Sequence, residues 1–187
     1  LWYSIRTSAE AMFGYYFENP GQEGSMGKRG KAPTENQNHP VTNVTWYDVI
    51  VWCNAFSELC GYAPCYKYQG EVIRDSSMTY EIDLCECDFA ANGFRLPTET
   101  EWEYAARGGQ KGRKCRYAGS ENIGDVAWYR NNSERSTHPV GLKQPNELGI
   151  YDMCGNVWEW TKTPAHSYAV PVKQDGNVFI RRGGSWW

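Results

Sequence analysis

No apolar run in the 187 residues approaches the roughly 18–20 that a membrane-spanning helix requires. Positive charge is not in surplus either. The 19 Lys and Arg against 22 Asp and Glu leave a net charge of −3, which argues against a dedicated nucleic-acid binder. Missing too are a Gly-rich phosphate loop ending in Lys-Ser/Thr, an HExxH helix and a GxSxG elbow. Those absences remove the common signatures of nucleotide, zinc-peptidase and serine-hydrolase chemistry. Of the three histidines, His39, His138 and His166, two precede proline, where a structural role in a loop is expected. Cys85-Glu86-Cys87 is not a CxxC and no second pair stands at zinc spacing, so a zinc site is not expected.

What is abundant points to an irregular domain. Nine Trp, thirteen Tyr and six Phe make 15% of the chain aromatic, and glycine reaches 19 residues. With 41% hydrophobic residues but few long apolar runs, the expectation is one domain over residues 1–187, its core built of large rings under long loops. Seven cysteines are an odd number, so at least one thiol is free or pairs outside this segment. The chain opens on Leu1-Trp2-Tyr3 rather than methionine, as expected of part of a longer protein.

Two helices announce themselves by their caps. Thr45 with Asp48 resembles a capping box, with Asp in place of the usual Glu or Gln, and Val49, Trp52, Cys53, Phe56 and Leu59 or Cys60 follow at helical spacing before Gly61. Thr98-Glu99-Thr100-Glu101 is a full S/T-x-x-E box after Pro97, with Trp102, Ala105 and Ala106 on the apolar face and Gly108-Gly109 as the stop. A third, weaker helical pattern runs from Leu1 to Met12 and stops at Gly14. Strand signals are short: Val178 to Arg182, and a hairpin of Tyr66–Tyr68 with Val72-Ile73 around Gln69-Gly70.

One segment carries metal-like chemistry. Asp152-Met153-Cys154-Gly155-Asn156-Val157-Trp158-Glu159 places a carboxylate at each end of a short glycine-containing loop. Hard oxygen ligands joined by backbone carbonyls are what Ca²⁺ prefers. The bland alternative is a turn in which Asp152 caps the backbone and Glu159 is solvated.

The motifs, read in order, resemble one family. They are His39-Pro40-Val41, Val44-Thr45-Trp46-Tyr47-Asp48, Asn92-Gly93-Phe94-Arg95-Leu96-Pro97-Thr98-Glu99 and Glu101-Trp102-Glu103-Tyr104-Ala105-Ala106-Arg107-Gly108-Gly109. His138-Pro139-Val140-Gly141, Pro145-Asn146, Leu148 to Met153, Gly155 to Trp160 and Arg182-Gly183-Gly184-Ser185-Trp186 complete the series. The series is similar to the formylglycine-generating-enzyme, or sulfatase-modifying-factor, family. The resemblance implies an α+β, C-type-lectin-like fold with low regular structure, two main helices and long loops. It also implies that the family's first and last strands lie outside Leu1–Trp187. In family members the loop matching Asp152 to Glu159 binds calcium through the side chains of Asp152 and Glu159 and the backbone oxygens of Gly155 and Val157. A second family calcium site falls near Trp128, where Val126 stands in place of the expected carboxamide, so that site is not expected here.

Fold does not choose function. The family's enzymes oxidise a sulfatase cysteine to formylglycine with a cysteine pair beyond the Arg-Gly-Gly-Ser-Trp motif and, in aerobic members, copper. No cysteine follows Cys154 in this sequence. Bacterial variable proteins diversified by retroelements use the same scaffold with variable residues near the C-terminal motif. The favoured expectation is thus a non-catalytic binding protein whose C-terminal surface, including His166, Tyr168, Trp186 and Trp187, meets a protein or other surface ligand. The alternatives are an oxidase with its cysteine pair, and copper, beyond Trp187, and an accessory member of a larger envelope assembly. An exported protein of a bacterial surface or periplasm is expected, with no nucleic-acid partner.

Overall fold

The computed structural model describes residues 1–34, 38–165 and 178–187. Its elements are α1 (Trp2–Phe13), β1 (Gln22–Glu23), β2 (Val41–Thr42), α2 (Trp46–Leu59), β3 (Tyr66–Tyr68), β4 (Glu71–Val72), α3 (Thr79–Asp83) and β5 (Glu86–Cys87). They continue as α4 (Glu99–Ala106), a 3₁₀ turn at Gly109–Lys111, α5 (Ile123–Val126), β6 (Ala127–Trp128), β7 (Cys154–Gly155), β8 (Glu159–Pro164) and β9 (Phe179–Arg182). The fold is α+β with long irregular connections. Its residues group into two compact units, one of residues 1–22, 28–33 and 43–96, the other of residues 23–27, 34–42 and 97–187.

In the first unit α2 begins where the capping box places it. The Thr45 hydroxyl accepts from the Asp48 N–H and Asp48 Oδ2 accepts from the Thr45 N–H at 2.7 Å. Aspartate replaces the usual Glu because this carboxylate is also a buried hub: it accepts from Ser76 Oγ at 2.7 Å and the Asn19 N–H at 3.1 Å. On the inner face of α2 the Asn54 amide donates to the carbonyls of Tyr66 (2.7 Å) and Ile73 (3.0 Å) and accepts from the Tyr66 N–H (3.0 Å). It thereby pins the antiparallel β3–β4 hairpin, whose register is Lys67↔Val72 and Tyr68↔Glu71 around Gln69-Gly70. The weakly signalled helix α1 is twelve residues long, longer than the eight of α4, and ends on Gly14 at φ +70°. Its Trp2 ring stacks on Trp52 at 5.3 Å. The five-residue α3 has too few apolar positions to reveal a period, and the sequence pattern misses it.

Glu58 receives a bidentate Arg74 and the Tyr15 hydroxyl. Burial alone would raise its pKa, but those hydrogen bonds and the Arg74 charge outweigh it and hold the carboxyl below its usual 4.5. A carboxylate depressed in the folded state stabilises fully above the unfolded value and stops doing so as pH falls through the folded one. Urea midpoints measured from pH 6 to pH 3 are therefore expected to fall below about pH 4.5, and Glu58→Gln is expected to flatten that limb. An equally steep limb in the variant would remove Glu58 as its source.

In the second unit the Thr98 hydroxyl and Glu101 carboxylate close a complete capping box on α4, whose Trp102 and Ala106 pack on Met153. β8 pairs antiparallel with β9 in the register Glu159↔Arg182 and Trp160↔Arg181. β6 pairs parallel with β7, with Trp128 opposite Gly155. Gly155 lies at φ +76°, and a Cβ there would drive into the Trp128 carbonyl, so no other residue fits. Arg182 joins β9 to α4 through Glu103 and, at 3.4 Å, Glu99, while Arg107 pairs with Glu103 within the helix at 2.5 Å.

Candidate functional site

The loop from Asp152 to Glu159 is held on every side. Its Cys154-Gly155 segment is strand β7, the Gly155 N–H donates to the Gly183 carbonyl at 2.8 Å, and the Asn156 N–H donates to the Trp128 carbonyl at 2.8 Å. Asn156 is buried and left-handed (φ +60°); its side-chain oxygen accepts from the His138 N–H and its amide donates to the His138 carbonyl. Asp152 is also left-handed (φ +59°).

The two carboxylates are poised differently from a plain surface turn. Asp152 Oδ2 accepts from the Gly141 N–H at 2.8 Å, which matches the capping half of the bland alternative. Asp152 Oδ1, however, is buried and has no hydrogen-bond partner among the described residues. Glu159 is not solvated: its Oε2 accepts from the Trp102 indole N–H at 2.6 Å. Burial pushes the Glu159 carboxyl up to about 7; the Trp102 hydrogen bond opposes this and the nearby Asp152 charge adds to it. An orphaned carboxylate oxygen beside a second enclosed carboxyl is a local excess of negative oxygen chemistry. The carbonyls of Met153 and Val157 both come near the Gly183 Cα, at 3.7 and 3.8 Å from where a Cβ would stand. Among the described residues no three His, Cys, Asp or Glu side chains cluster, so a cation here would draw on backbone oxygens as well as the two acids. This donor set of carboxylates and carbonyls fits a hard cation such as Ca²⁺ and does not fit a soft one.

Near the second position Val126 is buried, and Lys143 places its ammonium 2.7 Å from the Gly124 carbonyl and 4.1 Å from the centre of the Trp128 ring. A fixed positive charge there disfavours a divalent ion. The two His-Pro histidines each have a side-chain partner. His138 stacks on Trp128 at 3.8 Å with Nε2 2.9 Å from the Ser133 carbonyl, and His39 Nδ1 lies 2.9 Å from Thr137 Oγ1.

Of the residues expected on the C-terminal surface, His166 and Tyr168 lie outside the described residues. Trp186 is half-buried and its backbone is held at both groups: its N–H donates to the Asn156 carbonyl (2.9 Å) and its carbonyl accepts from Ser133 Oγ (2.8 Å). Trp187 meets it edge to face at 5.9 Å and is 76% exposed. Sequence reasoning missed the pairing of Trp158 and Trp160 around Arg181. Part of the signal was present: Trp158 stands just before β8, two positions from Trp160, and Trp160 lies opposite Arg181 in the ladder. Burial pushes the Cys53 thiol up to about 12 and raises those of Cys65 and Cys154 as well.

Residues 9–187 match the model of the sulfatase-modifying factor enzyme 1-like domain. The chain is 37% identical over 179 residues to the chaperone protein LppX of Paenibacillus barcinonensis, covering 81% of this chain and 60% of that protein. It is 36% identical over 175 residues to the formylglycine-generating enzyme of Streptomyces coelicolor, covering 82% of this chain and 44% of the enzyme. Among solved structures, CarF superposes with a TM-score of 0.84 at 33% identity, covering 99% of this chain and 71% of that one. The Treponema denticola variable protein 1 superposes with a TM-score of 0.65 at 34% identity, covering 83% and 64%. The chain thus spans about half the length of these two curated relatives. The domain match, the identities and the shared fold agree, and the chain belongs to the formylglycine-generating-enzyme, or sulfatase-modifying-factor, family.

Proposed function

We propose that this chain is a non-catalytic, ligand-binding member of its family, stabilised by one Ca²⁺ and presenting its C-terminal surface to a partner. The observation that carries the reading is the Trp186-Trp187 edge: the Trp186 backbone is fixed at both its polar groups, and its half-buried ring meets that of Trp187 edge to face at 5.9 Å. Rigid aromatics give wide contact area at small entropy cost, as in antibody paratopes. The likeness to a protein named for its variability supports the same reading. The ion would be held by Asp152, Glu159 and the backbone oxygens of Gly155 and Val157. Its contribution is charge neutralisation that locks the loop carrying Asn156, and through Asn156 the Trp186 backbone.

The alternative, oxidation of a sulfatase cysteine to formylglycine with copper, is favoured by the 36% identity to the Streptomyces enzyme. One incubation decides between them. The full-length protein is mixed in air and copper with a sulfatase-derived cysteine peptide, alongside the Streptomyces enzyme as positive control, and the peptide is analysed by mass spectrometry. The expected result is an intact thiol with this protein and an aldehyde with the control; an aldehyde in both overturns the binding reading. Trp187→Ala is expected to move the thermal midpoint by no more than about 2 °C, as for a surface residue.

A further inference from the structure

We infer that a cavity beside α4, lined by Trp102, Trp158, Arg116 and Arg181, binds a small aromatic carboxylate. The cavity has a volume of about 360 Å³, within the range of small-molecule sites, and it lies wholly in the second unit. Neither Trp186 nor Trp187 lines it, so it is separate from the C-terminal edge. Its floor is apolar: Trp102, Ala106 and Met153 form a buried cluster with Ala118 packed against it. The Trp102 indole N–H is already committed to Glu159, which leaves the ring as hydrophobic surface.

The wall is cationic on a protein whose net charge is −3. Four arginines line it against a single acid, Glu103. Glu103 is spent on two of the four, Arg107 and Arg182, and Glu99 adds to the hold on Arg182. Arg116 and Arg181 remain, and among the described residues no carboxylate pairs with either guanidinium. Glu121 approaches only the Arg116 backbone N–H, at 3.3 Å. Each guanidinium is placed over a ring: Arg181 lies 5.3 Å from the Trp160 centroid and 5.9 Å from that of Trp158, and Arg116 lies 5.5 Å from that of Tyr117. A guanidinium held over a ring keeps its N–H fork unspent, and that fork matches a carboxylate. Trp158, 52% exposed, offers the second flat apolar face. A hydrophobic floor beside two guanidinia without a carboxylate partner among the described residues selects a flat body bearing an anionic group.

The test is calorimetric titration of the full-length protein at low salt with 2-naphthoate and, separately, its neutral isostere 2-naphthamide. Saturable one-site binding of the carboxylate is expected, with the amide at least about tenfold weaker. Arg116→Gln and Arg181→Gln, both exposed side chains, are each expected to weaken naphthoate roughly three- to tenfold. Arg130→Gln, on a loop away from the cavity, should stay within about twofold as a charge control. Absence of saturable binding, equal binding of acid and amide, or an Arg130→Gln loss as large as that of Arg181→Gln overturns the assignment. The acid–amide comparison uses wild-type protein and so stands even if a variant folds poorly. Turnover of a sulfatase peptide would overturn the non-catalytic reading without touching this one.

Discussion

Chelating calcium is expected to lower the thermal midpoint of the wild-type protein by roughly 5–11 °C, and Asp152→Asn is expected to abolish the difference between loaded and chelated samples. The size follows from linkage. A ligand at a hundredfold excess over its Kd, bound only by the folded state, contributes about 2.7 kcal/mol, and in a domain of this length each kcal/mol moves the midpoint by about 2–4 °C. Asparagine is the informative substitution because its side-chain oxygen still accepts the Gly141 N–H that Asp152 Oδ2 accepts now. What it removes is the charge and the orphaned Oδ1. It also relieves the like-charge pressure on Glu159, so chelated Asp152→Asn should be no less stable than chelated wild type. The measurement is differential scanning fluorimetry with CaCl₂ or EGTA, with titration of calcium into the chelated protein as a second readout. Equal midpoints in wild type with and without EGTA would remove calcium from the account.

Asn54→Ala is expected to cost about 3–5 kcal/mol, a midpoint loss of roughly 6–20 °C. The side chain is fully buried and makes three hydrogen bonds to backbone groups of β3 and the residue after β4. The Tyr66 carbonyl keeps the Ile73 N–H at 3.3 Å when the amide is removed. The Tyr66 N–H and Ile73 carbonyl lose the partner described here, inside the core, where an unsatisfied group carries its full desolvation cost. A surface cap makes the comparison: Thr98→Ala should cost only about 1 kcal/mol. Chemical denaturation of both variants tests the ranking, and an Asn54→Ala loss no larger than that of Thr98→Ala would show that the hairpin is not anchored through this amide.

The parts of the fold readable from sequence are those whose determinants are local. Both capping boxes, the Gly14 stop and the β3–β4 turn lie within a few residues of the chain, and each element appears at its signal, with β4 at Glu71–Val72, one residue before the Val72-Ile73 pattern. α1 was undervalued because its helix is held by tertiary contacts, including Trp2 on Trp52 and Arg6 on the Gly30 carbonyl, that no window of sequence displays. At the candidate metal loop the spacing of Asp152 and Glu159 marks the place. What decides the chemistry is the burial of Glu159 under Trp102, 57 positions away, and the lone Oδ1 of Asp152. The arginine-walled cavity combines residues from Trp102 to Gly184, and its unpaired cations become evident only when the partners of Arg107 and Arg182 are known.

The parallel β6–β7 contact has an evolutionary corollary. A Cβ at Gly155 would meet the Trp128 carbonyl, a backbone atom that no change of rotamer can move aside. Selection therefore has no gradual route at this position: even a single added methyl group has to displace the neighbouring strand.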